Sequence, residues 1–198
     1  MCFELQASDF EFGLDRGFLY NPPVLTFTPI SGSAVRCRGS ERDVCAFADK
    51  ADGGALLLKS SPEETTQEGV VSWPGEYDVT GIAIRGIGQK DGQQVSYMTV
   101  VDGTRCAFLS SPLMDWTDPE LESLGDVDVM IAPAEEAKIL QKLVEEIDPR
   151  VLILVPGAKG KMDPDALKAC GAQGKSLVSE HKVKGLPAEG REVVVLGK

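Results

Sequence analysis

VDVMIAPAEEAKILQKLVEEIDPRVLILV, residues 127–155, is the stretch on which the architecture turns. Val127 to Ile131 reads as a strand. Ala134 to Ile147 reads as a helix, because Ile139, Leu140, Leu143, Val144 and Ile147 recur at the spacing that gathers apolar side chains on one helical face. Glu135 and Glu136 fall in its predicted first turn, where carboxylates favour the positive end of the helix dipole. Asp148-Pro149 ends the helix, since proline disfavours the helical conformation of the residue before it. Val151 to Val155 is apolar without alternation, as in a strand buried on both faces.

The pattern extends outward on both sides. Thr117-Asp118-Pro119-Glu120 predicts a helix start, with Thr117 as cap, Pro119 in the first turn and Glu120 completing a capping box. Leu121 and Leu124 point inward, and Gly125 stops the helix. Ser96–Val101 and Arg105–Leu109 flank Asp102-Gly103, a hairpin pair suited to positive φ at both central residues. Val70, Val71 and Trp73 lead into a turn at Pro74-Gly75-Glu76-Tyr77. Val79 to Ile87 then reads as a single strand, with Thr80, Ile82 and Ile84 on one face.

Asp43 to Ala48 reads as a buried strand, followed by a turn at Asp52-Gly53-Gly54. Ala55 to Lys59 is short and apolar. Before residue 40 the pattern is sparse: short strands at Cys2–Gln6, Phe10–Leu14 and Val24–Thr28. Downstream, Asp163-Pro164 opens a helix ending at Cys170-Gly171, and Arg191 to Leu196 is a final strand. Strands dominate the first half and helices alternate with strands in the second. Two sheets flanked by helices, in one domain over 1–198, fit that order.

Composition narrows the function classes. The net charge is −11, with 31 acidic against 20 basic side chains, which disfavours a nucleic-acid partner. No run approaches the about 20 apolar residues of a membrane helix, and Glu4, Asp9 and Glu11 interrupt the start of the chain, so a cytoplasmic protein with no membrane role is expected. The five cysteines, Cys2, Cys37, Cys45, Cys106 and Cys170, form no CxxC pair and are expected as reduced thiols. His181 is the one histidine, which leaves little material for a hydrolytic zinc centre or a Ser-His or Cys-His site. It is expected as an exposed residue at a strand or loop start.

Five segments taken in register, VSWPGEYDVTGIAIRGI, VVDGTRCAFLSS, LESLGDVDVMIAP, IDPRVLILVPG and GLPAEGREVVVL, resemble small bacterial hydrolases of the metallo-β-lactamase superfamily over residues 40 to 198. The resemblance implies an α/β (α+β) fold, a four-layer αβ/βα sandwich, with function at the strand ends. It also implies a His-x-His-x-Asp-His motif after the Asp43–Ala48 strand. Here Asp49, Ala51 and Gly54 stand about where the three histidines would fall. Phe108 and Ser111 occupy the places of a later histidine and a metal-bridging aspartate, and Pro156 that of a final histidine. Zinc hydrolysis is therefore not carried over, and no cofactor or metal is expected.

Each remaining candidate has a bland reading beside the functional one. Asp49 and Asp52 could together hold a hard cation such as Mg²⁺ or Ca²⁺, or simply form a solvated turn. Ser110 and Ser111 could make a small polar pocket, but a serine nucleophile needs a base beside it. Glu76 is expected as a structural acceptor, and Trp73 and Trp116 as core or rim aromatics. Gly86-Ile87-Gly88 lacks the helix start and Lys-Ser/Thr pair of a nucleotide loop. The expected function is non-catalytic: a protein-interaction or self-association module, as a homo-oligomer or with a protein partner, or a binder of a small ligand in a vestigial cleft of Asp49, Asp52, Phe108, Ser110, Ser111 and Pro156. The alternative is a hydrolase with a relocated carboxylate site near Asp49 and Asp52.

Overall fold

The computed structural model describes residues 24–51 and 53–197. The strands expected at Cys2–Gln6 and Phe10–Leu14 lie outside the described residues. Five strands come first: β1 (Leu25–Pro29), β2 (Val35–Arg38), β3 (Asp43–Ala46), β4 (Leu56–Leu58) and β5 (Val70–Val71). Four longer ones follow: β6 (Gly75–Val79), β7 (Ile82–Gln89), β8 (Gln94–Val101) and β9 (Thr104–Phe108). Then come α1 (Asp118–Leu124), β10 (Val129–Pro133), α2 (Ala137–Ile147), β11 (Val151–Val155) and α3 (Pro164–Ala169). The last strands are β12 (Leu177–Val178), β13 (His181–Val183) and β14 (Glu192–Leu196).

These strands form two mixed sheets. Sheet A runs β13-β1-β2-β3-β4-β5, and sheet B runs β12-β14-β11-β10-β9-β8-β7-β6. Strand alternation assigns each side chain to a layer. From β9, β10, β11 and β14, the residues Phe108, Ile131, Ile153 and Val194 face Phe27, Val44 and Leu58 of sheet A in one core between the sheets. Their neighbours Ala107, Met130, Leu152 and Val195 face the other way, onto Leu124 of α1, Leu140, Leu143 and Val144 of α2, and Ala166 of α3. β11 is buried on both faces, as its unbroken apolar sequence requires.

All three helices among the described residues thus pack on sheet B. The outer face of sheet A carries a smaller apolar cluster around Cys45 and Leu57, so the described residues supply three of the four expected layers. None of these helices is long and apolar enough to cross a membrane.

Two local expectations are corrected. Val79–Ile87 is not one strand: Thr80 and Gly81 adopt φ of 50° and 82° and form the turn that pairs β6 with β7. PGEY, expected as a turn, instead begins β6. Within β7 the alternation holds, with Ile82 and Ile84 facing sheet A. Second, α2 begins at Ala137, not Ala134. Glu136 takes a left-handed φ of 50°, which places Glu135 and Glu136 ahead of the first helical turn.

Other expectations are met. Asp102-Gly103 forms the β8–β9 hairpin, and the Asp102 carboxylate accepts hydrogen bonds from the backbone N–H and hydroxyl of Ser40 in the loop between β2 and β3. The Glu120 carboxylate accepts from the Thr117 N–H at 2.6 Å at the start of α1. Gly86 and Gly88 allow close passage of the chain crossing between sheets: a Cβ on Gly86 would lie 2.7 Å from the Trp73 carbonyl, and one on Gly88 2.7 Å from the Pro74 ring. Cys37, Cys45 and Cys106 are buried free thiols. Hydrogen bonding to Cys106 and burial push the Cys37 thiol up, so it is not a thiolate nucleophile.

Arg105 joins β9 to the segment entering β10, its guanidinium meeting Asp128 at 2.9 Å and Asp126 at 2.9 Å. The hydrogen bonds from Arg105 hold the Asp128 carboxyl below its usual range. A depressed folded pKa stabilises the fold above the unfolded value, about 3.9 for aspartate, and that stability fades as pH falls through the folded value. Urea melts between pH 6 and 2.5 should therefore show Arg105→Ala less stable than wild type at pH 6, with the gap closing on acidification. A gap that is constant with pH would remove Asp128 as the cause.

Candidate functional site

The carboxyl ends of β3 and β4 in sheet A meet those of β9, β10 and β11 in sheet B along one rim. The Ser60 carbonyl just beyond β4 accepts from the Val95 N–H in β8 at 2.9 Å. The Tyr97 hydroxyl donates to the Lys59 carbonyl at 2.7 Å and to the Val71 carbonyl at 3.0 Å. Tyr97 lies opposite Phe108 in the β8–β9 ladder, and both are fully buried between the sheets. Phe47, with φ of 60° at the end of β3, brings its ring centroid within 6.3 Å of Tyr97. Burial drives the Tyr97 phenol well above its ordinary pKa, so it stays a neutral donor.

Beyond β9 the two serines part company. Ser110 is 1% exposed and belongs to a polar network on the helix side of sheet B. Its hydroxyl lies 3.0 Å from that of Ser96, and its backbone N–H donates to the Ser96 hydroxyl. Gln94 donates to the Ser110 hydroxyl and to the Pro112 carbonyl, both at 2.8 Å. Ser96 donates in turn to the Gln89 side-chain oxygen, while the Gln89 amide nitrogen has no protein partner. Ser110 is thus a structural residue that holds the loop after β9, not part of an open pocket.

Ser111 instead donates to the Glu135 carboxylate at 2.7 Å, and the same oxygen accepts from the Leu113 backbone N–H at 2.8 Å. Glu135 reaches Ser111 because it precedes α2. A Cβ on Gly157, beyond β11, would overlap the Glu135 carboxylate. The apolar spacing predicts Glu135 as a helix residue, and no spacing in the sequence marks it as a rim residue. The signal that could have found it is its place directly after a buried strand.

The other candidates lie apart. Asp49 is exposed, and its backbone carbonyl accepts from Lys59 at 3.0 Å. It lines a cleft of about 740 Å³ with Arg42, Lys50, Lys59 and Glu68. A second cleft, of about 650 Å³, shares Arg42, Gly54 and Ala55 with it. Asp52 lies outside the described residues. Pro156 is half-buried and does not join the core cluster, so Phe108 alone of that pair fills the space between the sheets. Glu76 accepts from Arg85 at 2.8 Å, as a structural acceptor should. Trp116 is core, whereas Trp73 is 50% exposed with its ring N–H donating to the Glu63 carbonyl.

No family model and no curated protein matches the chain. Solved structures do. A Thermotoga maritima protein described as a Zn-dependent hydrolase of the metallo-β-lactamase superfamily superposes with a TM-score of 0.68 at 18% identity, covering 87% of this chain and 98% of that one. A protein described as a metal-dependent hydrolase from Parabacteroides distasonis gives a TM-score of 0.59 at 13% identity, over 88% of this chain and 93% of that one. The metallo-β-lactamase fold protein YhfI from Bacillus subtilis gives 0.55 at 7%, over 87% and 96%. The chain has the metallo-β-lactamase fold.

That fold raises the question of a metal at the rim, and the described residues there do not fit one. Phe108 and Pro156 offer no donor atom. Ser111 is engaged by Glu135, and Asp49 is solvent-facing in the loop after β3. Among the described residues no three His, Cys, Asp or Glu side chains gather in metal-binding range. His181 begins β13 at the far edge of sheet A from β3. It is half-buried rather than exposed as expected, because β1 and Glu192 flank it; its Nε2 lies 3.7 Å from the Glu192 carboxylate, beyond hydrogen-bond range.

Proposed function

We propose that this protein is a non-catalytic variant of the metallo-β-lactamase fold that acts by binding. The observation that supports this reading is the rim itself: a buried Phe108, a Ser111 committed to Glu135, and a donor-free Pro156. With no imidazole and no clustered carboxylates at the rim among the described residues, these side chains have no means to depress the pKa of a water and turn it into a nucleophile. Binding falls to the joined clefts beside Asp49 and Arg42, which suit a small polar ligand or a segment of a protein partner, a second copy of this chain included.

The alternative, a hydrolase with a hard cation on Asp49 and Asp52, draws on the exposed Asp49 carboxylate at the mouth of that cleft. One set of measurements separates them. Protein purified without chelator should carry less than a tenth of an equivalent of zinc, manganese or iron by elemental analysis. Its melting temperature should not move with millimolar Mg²⁺ or Ca²⁺. Near-stoichiometric transition metal would overturn the non-catalytic reading. A stabilisation by Mg²⁺ or Ca²⁺ that Asp49→Ala abolishes would favour the alternative.

A further inference from the structure

We infer that Glu135 ties together the strand-end loops that a metal centre would otherwise join, so that this rim is closed by a carboxylate built into the chain. The inference rests on the non-catalytic reading above and adds a residue and a mechanism to it. Three loops converge on this one side chain. The loop after β9 supplies two donors, the Ser111 hydroxyl at 2.7 Å and the Leu113 backbone N–H at 2.8 Å, both to the same carboxylate oxygen. The loop after β10 supplies Glu135 itself. The loop after β11 supplies Gly157, whose missing Cβ leaves the room that the other carboxylate oxygen occupies.

The backbone around Glu135 is held for this role. The Ala134 N–H donates to the Val155 carbonyl at 2.8 Å, and the Asp163 N–H donates to the Ala134 carbonyl at 2.7 Å, so the residue before Glu135 is pinned from both sides. The residue after it, Glu136, sits at φ 50°, a conformation that non-glycine residues adopt only where the surroundings enforce it. The effect is to stop the chain from entering α2 for one more residue and to aim Glu135 back over the rim. A charged acceptor makes stronger hydrogen bonds than a neutral one, and two donors on one oxygen fix the loop after β9 to the end of β10.

The pairing also gives Ser111 a structural role. Its proton is directed into the Glu135 carboxylate, whose accepting oxygen the Leu113 N–H also holds. The serine is a tether.

Amide exchange followed by NMR tests this directly, because the Leu113 N–H is itself one of the donors. Glu135→Ala should speed exchange at Leu113 at least tenfold while Ile131 and Ile153, in the strands, keep their protection. Glu135→Gln, which retains an acceptor oxygen, should keep most of the protection at Leu113. Should Glu135→Ala fail to fold, Ser111→Ala serves in its place: it removes one of the two donors and should loosen Leu113 less. Unchanged exchange at Leu113 in Glu135→Ala, or in Ser111→Ala where Glu135→Ala does not fold, overturns the tether.

A chelator arm keeps the two readings apart. Treating wild type with EDTA should leave Leu113 exchange unchanged. Faster exchange under EDTA would show that a metal holds the loops, and both the tether and the non-catalytic reading would fall. An inert EDTA arm with an inert Glu135→Ala would sink the tether alone.

Discussion

Phe108→Ala should be the most damaging single substitution at the rim, lowering stability by about 3–5 kcal/mol. Phe108 is fully buried, lies across the ladder from Tyr97 and beside Ile131, and occupies the core between the two sheets. Removing the ring takes away its transfer free energy and leaves a void that rigid strands on both sides cannot close. For a chain of this size the melting temperature should fall on the order of 10 °C. Phe108→Leu, which refills most of the volume, should lose well under half as much. Urea denaturation of both variants reads the result. A loss below about 1 kcal/mol for Phe108→Ala would mean that the ring is not the packing centre of this edge.

Tyr97→Phe should follow, at about 1–3 kcal/mol, although it removes one oxygen and no carbon. The hydroxyl bridges the sheets by donating to the carbonyls of Lys59 and Val71. The Val71 carbonyl also accepts from the Lys59 N–H and keeps a partner, so the loss centres on the Lys59 carbonyl. The pH dependence carries a sign that can be checked. Tyr97 has a folded pKa above its unfolded value of about 10, so the folded state retains the proton longer, and wild-type stability should fall as pH rises past that value. Tyr97→Phe should show a shallower alkaline decline. Equal slopes for the two proteins would assign the decline to other groups.

The parts of the fold that were legible in the sequence are those in which local pattern and burial agree. The β10–α2–β11 unit, the Asp102-Gly103 hairpin and the capped α1 follow from periodicity, turn chemistry and capping. The errors fall where a single backbone dihedral decides. Thr80-Gly81 looks like strand interior until both residues take positive φ, and Glu135 looks helical until Glu136 does. Threonine and glutamate rarely adopt that conformation, so neither turn is announced by composition. The rim was half legible. The donor-free Phe108 and Pro156 could be read from their positions, but the partner of Ser111 could not, because Glu135 reaches it only through the fold. Ser110 resembles Ser111 in sequence, and only the layer into which each turns separates a network member from a tether.

The pairing of β1 with β13 sets Leu25 opposite Val183, which joins an early part of the chain to a late one. On the ribosome, β1 to β5 emerge long before the edge strand that completes their sheet, and β9, β10 and β11 wait on β14 in the same way. During that interval the inner faces of both sheets must be shielded by collapse or by a chaperone. Stalled or truncated translation products that end before residue 181 should accordingly be the aggregation-prone species of this protein.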